Sequence, residues 1–285
     1  MRGTEHFIRT NGVDLCVETF GDPADTPLLL IHGAGHSMLA WDDEFTHRLA
    51  AGGRYVIRYD SRDAGRSTTF PVGEPPYDLR TLVDDAVGLL DALHLPSAQV
   101  LGMSQGAAVA QLLTLDHPER VTALALASST PGGPGHDQPD LPPMSEALRA
   151  VFAEEAPLPD GDDRAAVVEY LVEAERPFAA ASRPFDAAAM RAQAERVAER
   201  GRDIAAQLTN PFMIDAGAPW RHRLGDIKVP TLVLHGTEDP LFPLEHGRAL
   251  ATEIPAARFL PLERTGHEVF PRTTWNEVVP ALLGL

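Results

Sequence analysis

The stretch VLGMSQGAAVA, from Val100 to Ala110, constrains what this chain can fold into more than any other. An apolar run leads into a serine set between glycines, and a row of alanines follows. A surface serine needs no such setting. A tight turn from a buried strand into a closely packed helix does. Glycines remove the Cβ atoms that would strike neighbouring backbone, and alanines let the helix lie close to a sheet. The run Gly102-Met103-Ser104-Gln105-Gly106 therefore reads as strand, strained turn and helix, with the Ser104 hydroxyl projecting from the turn.

The rest of the chain alternates around that turn. HFIRTNGVDLCVETFG reads as two strands joined at Asn11-Gly12, a strong hairpin signal. TPLLLIHG is a continuous apolar run, as in a strand buried on both faces. RYVIRYD, AQVLGMS, VTALALAS, Val229 to His235 and ARFLPLE complete the strands. Helical spacing fills the gaps, most clearly in YDLRTLVDDAVGLLDALHL, where Leu79, Leu82, Val83, Ala86, Leu89, Leu90 and Leu93 share one face. The expectation is an α/β fold: a mostly parallel, eight-stranded sheet with helices on both faces.

At Ser128 the character changes. SSTPGGPGHDQPDLPP can be neither helix nor strand interior, and from Met144 to about Arg223 the chain is rich in Ala, Arg and Glu with helical periods. The expected division is a core of residues 1–130 and 225–285 interrupted by a helical cap insertion, residues 131–224.

Composition narrows the partners. The formal net charge of -17 repels phosphate backbones and opposes a polybasic membrane contact, so neither nucleic acid nor membrane is an expected partner. Cys16 is the only cysteine, which rules out an intramolecular disulfide and a cysteine-based zinc site. The N-terminal residues carry no apolar signal-like run, and no stretch approaches the ~18 apolar residues of a membrane span. The expectation is a cytoplasmic monomer or homodimer acting on a small molecule, with no cofactor. His32 and His36 could suggest a metal pair, but they lie on a glycine-rich turn without a third ligand.

A serine hydroxyl is a weak nucleophile. It needs a base within hydrogen-bond reach, and that base needs an orienting carboxylate. In a nucleophile-elbow fold the order along the chain is serine, acid, histidine. Asp239, just past the strand TLVLHG, is the expected orienter, with Glu238 as the alternative. Only His246 and His267 follow Asp239. His246 falls inside a helix and is expected to face away from the sheet edge. His267 falls in the loop ERTGHEVF after a strand and is the expected base. Backbone N–H groups should meet the developing oxyanion: Gln105, following the nucleophile, and Ala34 in His32-Gly33-Ala34-Gly35. His32 is expected to brace that loop. Asp60, Arg62 and Asp63 in YDSRDAGRST are expected to pair among themselves and to hold this long loop through side-chain to backbone bonds, as scaffold.

Taken together, LLLIHGAG, YDSRDAGRST, GMSQG, LVLHGTEDP and TGH resemble the α/β-hydrolase superfamily over about Glu5 to Thr130 and Ile227 to Leu285. The stretch HGAGHSMLAWDDEFTHRLAAGGRYVIRYDSRDAGRSTT more narrowly resembles anthracycline methyl ester hydrolases of the aclacinomycin methylesterase type. The resemblance implies a methyl ester substrate on a tetracyclic aglycone, with Ser104, Asp239 and His267 as catalytic residues and Ala34 and Gln105 as the oxyanion hole. Many members carry a methionine or a glycine-rich turn where this chain has Gln105, and its amide is expected to enter the pocket.

The insertion should close over Ser104. Phe152, Tyr170, Phe178, Phe185 and Trp220 are expected mostly to form its own core, and Phe212 and Met213 to wall the pocket. Gly33, Trp41, Met103, Phe242 and Phe270 are the substrate-binding candidates from the core. The cap is expected to set substrate size and leave the chemistry to the core. These residues point to a serine ester hydrolase. A lactonase or C–C bond hydrolase could use the same residues, because pocket shape selects the bond. A non-catalytic binder would not need the complete set.

Overall fold

The computed structural model describes residues 3–154 and 157–285. Asn11 and Gly12 both take positive φ and turn β1 (Thr4–Thr10) back onto β2 (Val13–Phe20). β2 pairs antiparallel with β4 (Arg54–Tyr59). Every later pairing is parallel, through β3 (Thr26–Ile31), β5 (Ala98–Met103), β6 (Val121–Ala127), β7 (Thr231–Gly236) and β8 (Ala257–Leu262). The order β1-β2-β4-β3-β5-β6-β7-β8 is the expected eight-stranded, mostly parallel sheet. β7 starts at Thr231, later than the apolar run from Val229 suggests, since Pro230 has no N–H to give a ladder.

The central strands are apolar on both faces and fill two cores. Leu29, Ile31, Val100, Leu124, Leu126 and Val233 lie on the side of α2 (Leu79–Ala92), α3 (Gln105–Asp116) and α8 (Leu244–Glu253). Leu28, Leu30, Leu101, Ala125, Leu232 and Leu234 lie on the side of α1 (Asp43–Ala51) and α9 (Trp275–Leu283).

Between β6 and β7 come α4 (Glu146–Ala153), α5 (Arg164–Glu175), α6 (Ala187–Arg200) and α7 (Ile204–Thr209), with no strand among the described residues. Asp163 and Asp186 cap α5 and α6, each carboxylate accepting the N–H three residues on. α5 and α6 pack through Val168, Val172 and Ala194, with Phe185 alongside. Their shared core is thus mainly aliphatic. Trp220 instead joins the large core beside α3, donating Nε1–H to Gln111, while Phe152 lies exposed.

The charged loop after β4 is scaffold, held by carboxylate-to-backbone bonds such as Phe70 N–H to Asp63, but Asp60, Arg62 and Asp63 do not pair with one another. Asp60 accepts N–H bonds from Met38 and Arg66 and pairs with Arg200 of α6. Arg62 pairs with Asp85 of α2, and Asp63 accepts from Tyr77 Oη and Asn210 Nδ2. Asp60 and Arg62 thus find their ionic partners on packed helices, while Asp63 is met by two neutral side chains from segments beside α2 and α7. No helix among the described residues is long and apolar enough to cross a membrane.

Candidate active site

Parallel strands deliver their following loops to one edge of the sheet, and four such loops meet here. The first follows β5. Ser104 takes φ 53° and ψ -118°, a sparsely populated conformation that turns the chain abruptly into α3. The flanking glycines are there for close approach, not for φ. A Cβ on Gly102 would lie 2.2 Å from the Gly106 carbonyl oxygen, and one on Gly106 2.3 Å from that of Ile31.

The loops after β7 and β8 bring two more groups to it. His267 Nε2 accepts from Ser104 Oγ at 3.0 Å, and His267 Nδ1 donates to Asp239 Oδ2 at 2.9 Å. The other oxygen of Asp239 accepts from the N–H groups of Leu241 and Phe242. Burial alone would raise the Asp239 pKa. The positive charge that His267 can carry, together with these hydrogen bonds, outweighs burial and holds the carboxyl below the usual carboxylate range. Glu238, the alternative orienter, is instead taken by Ser182 N–H and Oγ, away from His267. His246 differs from expectation. It does not face away from the site but is buried in the wall of a cavity there, accepting from Thr130 Oγ1 and donating to the Pro142 carbonyl.

The fourth loop follows β3. Ala34 and Gln105 both line the space around Ser104. Gln105 opens α3, so its N–H has no acceptor within the helix. The Gln105 amide does not enter the pocket freely, because Nε2 donates to the Pro211 carbonyl at 2.7 Å. His32 braces the turn, with Nδ1 donating to the Gly33 carbonyl and Nε2 accepting from Ser61 N–H. Burial keeps it neutral, pushing its pKa down to about 4. No cluster of metal-ligating side chains occurs among the described residues.

Two cavities share Ser104. The larger, ≈ 1060 Å³, is lined by Phe242, Leu241 and Phe212 and by the Gly133–Pro143 run. The smaller, ≈ 560 Å³, is lined by Gly33, Met103, Tyr170, Phe178, Leu208, Phe212 and His267. Of the expected pocket residues, Gly33, Met103, Phe212 and Phe242 thus face the site. Three do not. Trp41 and Phe270 are buried in the core beside α1 and α9, where Trp41 stacks on Phe45. The turn Met38–Ala40, capped by Ser37, swings Trp41 inward. Met213 is 56 % exposed and lines neither cavity.

Several contacting residues left no mark in the sequence. The Phe178 carbonyl accepts from His267 N–H at 2.8 Å, and Arg183 pairs with Glu268 beside it. Only Gly266 hinted at this: a Cβ there would lie 2.1 Å from the Phe178 carbonyl oxygen. His36 Nε2 lies 3.0 Å from Glu175 Oε1 in the lining of the smaller cavity.

With the geometry in place, the chain can be set beside known proteins. A family described as alpha/beta hydrolase fold matches residues 26–272. A protein named rhodomycin D methylesterase DauP, from Streptomyces sp. (strain C5), is 34% identical over 275 residues, spanning 92% of this chain and 91% of its own. A 2-hydroxymuconate semialdehyde hydrolase from Pseudomonas sp. (strain CF600) is 31% identical over 255 residues, spanning 86% and 81%. The crystal structure of a hydrolase from Pseudomonas aeruginosa PA01 superposes with TM-score 0.71 at 26% identity, covering 99% of each chain.

Proposed function

The chain belongs to the α/β-hydrolase fold family, and on that premise we propose that it is a serine carboxylic ester hydrolase acting on the methyl ester of a bulky polycyclic acid. One observation carries the reading: Ser104 Oγ, His267 and Asp239 form an unbroken hydrogen-bonded line at the junction of two cavities. In this reading His267 Nε2 takes the Ser104 proton as Oγ attacks the ester carbonyl. The N–H groups of Ala34 and Gln105 receive the oxyanion, an interaction whose loss typically costs about 10²–10³ in kcat. His267 then passes the proton to the departing methoxide, and methanol leaves. A water, deprotonated by the same nitrogen, attacks the acyl carbon; the bond to Oγ breaks, His267 returns the proton to Oγ, and the acid leaves. Asp239 fixes the imidazole tautomer with the lone pair on Nε2.

The named methylesterase relative supports a methyl ester, and the apolar walls support a large ring system. We further propose that residues 131–224 act as the cap over this site.

The second reading, C–C bond hydrolysis, has a named relative in the 2-hydroxymuconate semialdehyde hydrolase. A muconate-type substrate carries a carboxylate. The smaller cavity is lined by Glu154, Glu173 and Glu175; Glu175 meets His36 and Glu173 pairs with Arg176, which leaves Glu154 as the carboxylate that opposes an anion there and favours a neutral ester. Mass analysis of products from polycyclic methyl esters, lactones and vinylogous diketones separates these readings. Methanol and free acid are expected from the first set. Cleavage of the diketones alone would replace the ester reading with the C–C one.

A further inference from the structure

We propose that His36, bridging the Ala34 carbonyl and the Glu175 carboxylate as an imidazolium, is a positioning residue that straps the proposed oxyanion turn to helix α5. The inference rests on the ester hydrolase reading for its kinetic meaning, but not for its geometry.

His36 Nδ1 lies 3.0 Å from the Ala34 oxygen and Nε2 lies 3.0 Å from Glu175 Oε1. An amide carbonyl can only accept. A neutral imidazole has one N–H and one lone pair, so it can satisfy only one of two acceptors. Both bonds need a second proton in the group. That proton belongs on the imidazole: burial opposes the Glu175 charge, but the facing His36 outweighs it and holds the carboxyl below the usual range. Burial likewise opposes the His36 charge, and Glu175 with the two hydrogen bonds outweighs it, holding His36 above histidine's ordinary value.

The turn it grips matters for the chemistry. The Ala34 N–H belongs to the peptide whose carbonyl, on Gly33, accepts from His32 Nδ1 at 2.8 Å and His36 N–H at 3.4 Å. His36 then holds the next peptide through its ring, and Gln207 Nε2 holds the one after, at Gly35. His32 fixes one side of the turn from the core, while Glu175, acting through His36, and Gln207 fix the other side from the helical segment. The other titratable groups around this pair are Tyr170 and Glu173 on α5, Glu154 after α4, His32 in the turn, and His267 in the base loop, whose charge acts on Glu175.

The sign of the pH effect follows. His36 is held above its unfolded value, so its contribution is complete below that value and is lost as pH rises through the folded one. Glu175 is held below its unfolded value, so its contribution fails only as pH falls through the folded one. Ester turnover should therefore carry an alkaline limb belonging to His36. Glu175→Gln keeps the shape and removes the counter-charge, so that limb should move down by about one pH unit or more. His36→Asn should abolish the limb and lower kcat more than it raises KM.

The test combines phenyl acetate turnover against pH with ring ¹⁵N spectra of His36 in the resting protein near neutral pH. Doubly protonated His36 and a downshifted limb in Glu175→Gln are expected. A neutral His36 ring, or an alkaline limb unmoved in Glu175→Gln, would overturn the strap. A wild-type protein with no esterase activity but a doubly protonated His36 would sink the hydrolase reading and leave the strap standing.

Discussion

At residue scale, the site depends on one strained backbone position. A conformation such as that of Ser104 costs about 1–3 kcal/mol. It persists because Gly102 and Gly106 allow β5 and α3 to close on each other, and because Ser104 N–H is tied to the Ala127 carbonyl at 2.9 Å. Oγ, Nε2, Nδ1 and Oδ2 then form one chain, so their contributions should not add. Ser104→Ala, His267→Ala and the double variant should lose similar activity, about 10⁴-fold or more in kcat. Asp239→Asn should keep the fold and still lose most of the rate, since Nδ1 no longer has a carboxylate to fix its tautomer. Steady-state kinetics on one ester decides this: a double variant far worse than either single would separate the groups. These residues were legible because motif, strand context and chain order all converge on them. His246 was misread because helical position says nothing about which way a side chain faces once Thr130 and Pro142 pack against it.

At the scale of elements, the helices between β6 and β7 do more than shape a pocket. This segment touches all four loops of the site: Pro211 receives Gln105, Phe178 receives His267 N–H and Arg183 pairs with Glu268, Ser182 N–H donates to Glu238, and Gln207 donates to Gly35. The sequence-based expectation that this segment leaves the chemistry alone therefore needs division. Phe212, 67 % exposed and lining both cavities, should act on substrate size. Phe212→Ala should lower kcat/KM for a bulky polycyclic methyl ester by about tenfold per ~1.4 kcal/mol of lost contact, and spare a short-chain ester. Arg183→Ala should lower kcat on both, because it loosens the loop that carries His267. Paired specificity constants check this, and an Arg183→Ala enzyme impaired only on the bulky ester would refute the positioning role. The helices were legible here from their period. Their contacts were not, because Arg183, Glu268, Gln207 and Asn210 are polar residues whose partners lie far along the chain.

At the scale of the whole molecule, the sheet order and both cores follow from apolar runs that alternate with amphipathic helices, which is why the architecture was readable. The errors lie where an aromatic ring could serve either a core or a cavity. Trp41 and Phe270 flank site loops in sequence yet complete a ring cluster with Phe45 and Trp275. Periodicity cannot assign an isolated ring between strands, and packing decides it. What the architecture accomplishes is to bring residues 34, 104, 105, 239 and 267 from four loops to one sheet edge. The central claim is that Ser104 carries the acyl group during turnover. Mixing the protein with a slowly deacylating ester, quenching in acid and mapping the peptides by mass tests it directly. The account predicts an acyl adduct on Ser104 that forms and decays at catalytically competent rates. Ester turnover with Ser104 unmodified throughout, or with the adduct on another residue, would contradict it.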